Sequence, residues 1–147
     1  MKKFDFKLEP LYKYRKNIEK EKQALVAEVS AEYNKEQMGI DNCIAKINDS
    51  IHIVDSIEES SDDYMNMALY LGDYISALNS QIIIHQDNMA TIEVELKKRQ
   101  EVLSEATRAR RAVEILKEKK LLEHKKQNQK LEQANLDDWK REYINKY

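Results

Sequence analysis

The sequence predicts an all-α protein, a long antiparallel two-helix coiled-coil hairpin with a C-terminal single-helix overhang. Three observations carry that reading. The first is a spacing of seven within residues 62 to about 143, a stretch with no proline and one glycine, Gly72. One series runs Ile75, Ile82, Met89, Leu96, Leu103, Arg110, and an interleaved one runs Leu78, His85, Ile92, Arg99, Ala106, Val113. Alternating steps of three and four keep a narrow stripe facing a partner helix, because about 3.5 residues per turn is the period of a supercoiled pair. The second is composition: 147 residues with two glycines, one proline and 35% charged side chains have little material for turns. The third is that the periodicity lapses once, at Glu58-Glu59-Ser60-Ser61-Asp62-Asp63.

Taken in order, Phe4, Phe6 and Leu8 alternate with Asp5, Lys7 and Glu9, an extended lead-in. Pro10 suits the first turn of a helix, where a missing N–H costs nothing. Leu11, Tyr14, Ile18, Leu25 and Val29 then keep helical spacing, and Tyr33, Ile40, Ile44, Ile47, Ile51 and Val54 continue it after a stutter. Gly39 weakens this helix by about 1 kcal/mol relative to alanine. Ser60 or Ser61 can cap the second helix, with Asp62 and Asp63 in its first turn, where the helix dipole favours negative charge. The expected elements are therefore helix 1 over about 10–58, a turn at about 59–62 and helix 2 over about 62–143, in one rod-like domain spanning 1–147. A short connection makes such helices antiparallel neighbours. Ile18 is then expected opposite Leu103, and Leu11 opposite Ala109. Beyond that, helix 2 has no partner from its own chain.

Charge is strongly segmented. It is +2 over residues 1–46, −10 over 47–96, +7 over 97–130 and −1 over 131–147. Such asymmetry points to different partners at different places. Cys43 is alone, so it reads as a small apolar residue at or beside a seam. No secretory leader and no long uncharged apolar span is present, so a soluble, cytoplasmic protein with no direct membrane insertion is expected. His52, His85 and His124 lie far apart, and there is no phosphate-binding glycine loop or nucleophile elbow. No enzyme, catalytic residue, cofactor or metal site is therefore expected.

Two surfaces stand out. The acidic half is too apolar for a two-stranded coil: Ile82, Ile83 and Ile84 are spread by about 100° each, so at least one points outward. Tyr74, Leu78, Gln81 and His85 fall on one stripe, and with Ile83 they are the candidate partner-binding patch. The other surface is a basic belt of Arg99, Arg108, Arg110, Arg111, Lys117, Lys119 and Lys120. A charge run on a helix is ordinarily a solvated face, and Glu101, Glu105, Glu114 and Glu118 interrupt this one, which disfavours nucleic acid and favours an acidic protein partner.

The opening Phe4-x-Phe6-x-Leu8 with Leu11 and Arg15 resembles the flagellar export protein FliJ family. So does the tail Ala109-Arg110-Arg111-Ala112-Val113-Glu114-Ile115-Leu116-Lys117-Glu118-Lys119 with Leu136-Asp137-Asp138, where Asp138 replaces the usual glutamate. The resemblance implies a stalk of the flagellar type III export machinery. Such a stalk inserts into the hexameric export ATPase, promotes its assembly and activity, and links it to the cytoplasmic domain of the membrane export gate and to export chaperones. It would be cytoplasmic and peripherally associated with the inner membrane at the flagellar basal body. Arg15, Arg99, Arg108, Arg110, Arg111, Lys117 and Lys119 would then meet the ATPase, and Tyr74, Leu78, Gln81, Ile83 and His85 the gate. Related injectisome stalk proteins share this shape. The alternative is a generic cytoplasmic coiled-coil scaffold or holdase-like chaperone.

Overall fold

The computed structural model describes residues 2–60 and 62–147. It consists of α1 (Glu9–Asp55) and α2 (Asp62–Asn145), packed against each other, with no strand among the described residues. Before α1, residues 2–6 lack regular structure, and the Glu9 N–H donates to the Phe6 carbonyl at 3.0 Å, closing a turn into the helix. Pro10 is the second helical residue, within the turn whose N–H groups have no intrahelical acceptor.

α1 stops at Asp55, three residues short of the expected end. The Ser56 hydroxyl donates to the Ile53 carbonyl at 2.7 Å, and the Ile57 N–H donates to Val54 at 3.2 Å. A hydroxyl competing for a terminal carbonyl and a tightened final turn end the helix there. Asp62 and Asp63 occupy the first turn of α2. The candidate cap Ser61 lies outside the described residues, and Ser60 is in the connecting turn.

The chain divides into two compact units. Unit 2 (Gln23–Val102) contains the connection between the helices. Its buried positions are Val29, Ile40, Cys43 and Ser50 on α1 and Leu71 and Leu78 on α2. Unit 1 (Met1–Lys22 with Leu103–Tyr147) buries Phe6 and Val113. The α2 series Ile75, Ile82, Met89, Leu96, Leu103, Arg110 and Leu78, His85, Ile92, Arg99, Ala106, Val113 is half-buried or buried at every position. Truncating Leu78, 3% exposed, to alanine would cost about 2–4 kcal/mol.

On α1 the stripe departs from expectation at three places. Ile44 and Ile51 are 45% and 46% exposed, while Cys43 and Ser50 beside them are buried. The steps from Val29 through Tyr33, Glu36 and Ile40 are four, three and four, so the next step of three reaches Cys43 and, a heptad on, Ser50, whereas Ile44 would need two successive steps of four. Ser50 is tolerated because its hydroxyl donates to the Lys46 carbonyl at 2.8 Å. Tyr14 is likewise outward, and Arg15 takes the seam position.

Pairing also sits several residues further along α2 than expected. Within unit 1, Arg15 rather than Leu11 reaches Ala109, and Glu9 pairs with Lys117 at 2.7 Å. Helical side chains lean toward the N-terminus of their own helix. In an antiparallel pair both lean, so the residues whose tips meet have Cα atoms displaced along each helix. α2 also keeps a partner beyond Ala109, because the non-helical lead-in before α1 reaches His124, whose ring centroid lies 5.4 Å from that of Phe4. From residue 129 to 147 every α2 residue is exposed.

The two helical glycines should behave oppositely. A Cβ on Gly39 would meet the His85 ring at 2.7 Å, whereas one on Gly72 meets nothing within 4 Å. Gly72→Ala is expected to stabilise the protein by about 0.5–1 kcal/mol through helix propensity. Gly39→Ala should destabilise it, and should become stabilising in a His85→Ala background. Urea unfolding followed by circular dichroism reads both signs.

Candidate functional site

The two units carry opposite charge. Unit 1 has 20 basic and 12 acidic side chains, net +8, and unit 2 has 5 basic and 15 acidic, net −10.

In unit 1 the basic residues fall into two groups. Arg15, Arg110 and Lys117 stand in the seam. The Arg15 Nη1 donates to the Ala109 carbonyl at 2.9 Å. Arg110 donates to the carboxylates of Glu19 across the seam and Glu114 on its own helix. Its guanidinium is held above its ordinary range, chiefly by the hydrogen bond to Glu19. Lys117 pairs with Glu9 and lies 5.1 Å from the centroid of the Tyr12 ring. Arg108, Arg111 and Lys119 are exposed. Arg111 bonds Glu114 at 3.0 Å and Glu118 at 3.5 Å, which raises its pKa, and the Arg111 hydrogen bond is the main cause holding Glu114 below its ordinary range. Arg108 and Lys119 have no ion-pair partner among the described residues. Arg99 belongs to unit 2, where it is half-buried and bonds Glu95 at 2.9 Å.

The candidate patch in unit 2 divides in the same way. Leu78 is buried in the seam. His85 lies over Gly39 and donates its Nδ1–H to Glu36 Oε2 at 2.5 Å, an oxygen that Asn88 also approaches at 3.5 Å. Gln81 is exposed, and its Oε1 accepts from the Cys43 thiol at 3.6 Å. Tyr74 and Ile83 face solvent. Ile84, 58% exposed, is outward too, while Ile82 is half-buried, as the 100° rotation per residue requires. The large exposed side chains Met65, Leu69 and Tyr70 precede this patch and were not among the candidates. Their signal was in the sequence, an apolar run too wide for one seam. In unit 1 the exposed Trp139, Tyr143 and Tyr147 were missed as a row: adjacent rings sit 6.2 and 5.6 Å apart, at steps of four.

No metal-holding cluster of His, Cys, Asp or Glu occurs among the described residues, and none of their helices is long and apolar enough to cross a membrane. The described residues thus form paired helices with oppositely charged units and outward apolar side chains. The chain matches the family described as flagellar FliJ protein over residues 4–146. It belongs to that family, and is thus a component of the flagellar export apparatus. No curated protein and no solved structure matches it.

The Glu36–His85 contact gives a signed pH dependence. The hydrogen bond from His85 is the largest cause holding Glu36 below its ordinary value of 4.5. A depressed carboxylate pKa contributes stability that is present above the unfolded value and disappears as pH falls through the folded one. Melting temperatures of the parent and Glu36→Gln are expected to differ near neutral pH and to converge as pH drops below 4.5.

Proposed function

We propose that this protein is the stalk of the flagellar export apparatus. Unit 1 inserts into the hexameric export ATPase and promotes its assembly and activity. Unit 2 engages the cytoplasmic domain of the export gate, and export chaperones are recruited to the same protein. In this reading it acts in the cytoplasm, held peripherally at the inner membrane at the flagellar base, and performs no chemistry of its own.

The observation that carries the reading is the +8 charge of unit 1 in a chain of the FliJ family, with Arg108, Arg111 and Lys119 facing outward. Because Arg15, Arg110 and Lys117 are occupied in the seam, their role is to hold the two helices in the geometry that presents the outward cations. On the gate side, Tyr74 and Ile83 make the contact, and Leu78 and His85 support it from beneath. A stalk needs no nucleotide site: it transmits asymmetry in a ring through a stiff seam and distinct contacts.

A second reading, a holdase-like chaperone or scaffold, is favoured by one observation, the exposed apolar run of Met65, Leu69, Tyr70, Ile83 and Ile84. It predicts a broad client list in pull-downs, whereas a stalk retrieves the export ATPase and gate.

Reversing Arg108, Arg111 and Lys119 to glutamate is expected to reduce ATPase stimulation roughly tenfold or more with helical content unchanged. Stimulation measured with the purified ATPase checks this, and unchanged stimulation removes these cations from the interface. Arg110→Glu, by contrast, should lower the melting temperature, because it places a third carboxylate beside Glu19 and Glu114.

A further inference from the structure

Unit 1 contains a groove that α1 does not fill. Along α2, Leu121, His124 and Asn128 continue the spacing of the seam and are half-buried, and Leu131 follows at the next step, 61% exposed. α1 begins at Glu9, whose partner on α2 is Lys117, so it ends before this stretch. The cover is the non-helical lead-in, with Phe6 buried and Phe4 against the His124 ring. A cleft of about 670 Å³ lies between residues 2–8 and the α2 side chains Leu116, Lys120, Glu123, His124 and Gln127. A second, of about 330 Å³, shares Lys2, His124 and Gln127 with it and continues to Asn135. Together they follow α2 over residues 116–135, a length of roughly 28 Å at 1.5 Å per residue.

The floor of the first cleft is apolar, with Phe4, Phe6, Leu8 and Leu116 among its lining, and Leu131 is the apolar side chain of the second. Its rim is basic: Lys2, Lys3, Lys7 and Lys120, the last paired with Glu123 at 3.7 Å, outnumber Asp5, Glu123 and Glu132, in a unit of net charge +8. We propose that the groove is a docking site for an acidic amphipathic helix of a partner protein, laid along α2 where α1 leaves off. A helix is specified because the α2 face keeps steps of three and four, the pattern that a second helix meets with its own apolar stripe. Acidic flanks are specified because a basic helix would set like charges against four lysines, while an acidic one gains both steering and pairing. The apolar floor supplies what a bare charge patch lacks, a place for anchoring side chains. The site uses none of the outward cations assigned to the stalk contact.

The test uses the full chain and a labelled peptide of roughly 20 residues, long enough to span the groove, with leucine at the seam positions and glutamate beside them. A counterpart carries lysine in place of the glutamates. Fluorescence anisotropy should show binding of the acidic peptide alone, weakened roughly tenfold or more between about 0.1 and 0.5 M salt. Lys3→Glu, Lys7→Glu and Lys120→Glu combined should reduce binding by a similar factor with circular dichroism unchanged. Leu131→Gln, on the exposed floor, should weaken binding without altering its salt dependence. Equal binding of both peptides, absence of binding, or an unaffected triple variant would overturn the proposal. So would a salt-dissociable dimer that excludes the peptide, since the groove would then belong to a second copy of the chain. Because Arg108, Arg111 and Lys119 are untouched in these variants, each of those failures leaves the stalk reading standing.

Discussion

The seam between α1 and α2 is one stripe deep, and everything else follows from how thin it is. Two helices can hide only the sides they turn to each other, so even the best-covered side chains, Leu78 and Ser50, retain 3% exposure. Burial contributes about 25 cal/mol per Å² of apolar surface, and most seam positions here are only half covered. Among the described residues no large side chain is fully buried, so little compensates for a misplaced residue. Spacing along the chain therefore has to be kept over many turns, and the absence of interior proline in both helices meets that requirement.

A thin seam also admits polar residues, provided each is matched. Arg110 interrupts the apolar series but reaches Glu19 and Glu114, and Arg15 uses the spare lone pair of the Ala109 carbonyl. His85 fills the space that Gly39 leaves and bonds Glu36. These contacts are specific in register: sliding α1 by one heptad would put Tyr12 or Val26 where Glu19 meets Arg110. An unmatched guanidinium in a half-buried seam is costly, so the polar pairs disfavour slipped pairings that apolar residues alone would tolerate.

The same division separates structural from presented charge. Arg15, Arg110 and Lys117 are engaged across the seam, whereas Arg108, Arg111 and Lys119 are exposed. In unit 2 the analogous split sets Leu78 and His85 beneath Tyr74 and Ile83. In unit 1 the adjacent Arg110 and Arg111 fall on different sides of the seam because a step of one residue turns the side chain by about 100°.

Much of the helix pair was legible in the sequence. The α2 stripe could be read position by position, including Arg99 and Arg110, because a period repeated over many turns identifies even its polar members. On α1, hydrophobicity misled: Ile44 and Ile51 look like seam residues, and Cys43 and Ser50 hold those places, because phase over the whole helix outweighs the polarity of one side chain. Of the candidate site, the sequence by itself determined which stretches are basic, acidic or apolar, and that two helices fold back on each other, since periodicity, composition and charge are properties of the chain alone. Only the tertiary structure decided which arginines pair across the seam, how far the pairing is displaced along α2, and that the lead-in lies over His124. Those outcomes depend on side-chain reach and lean between segments about a hundred residues apart, and no local pattern encodes such a distance.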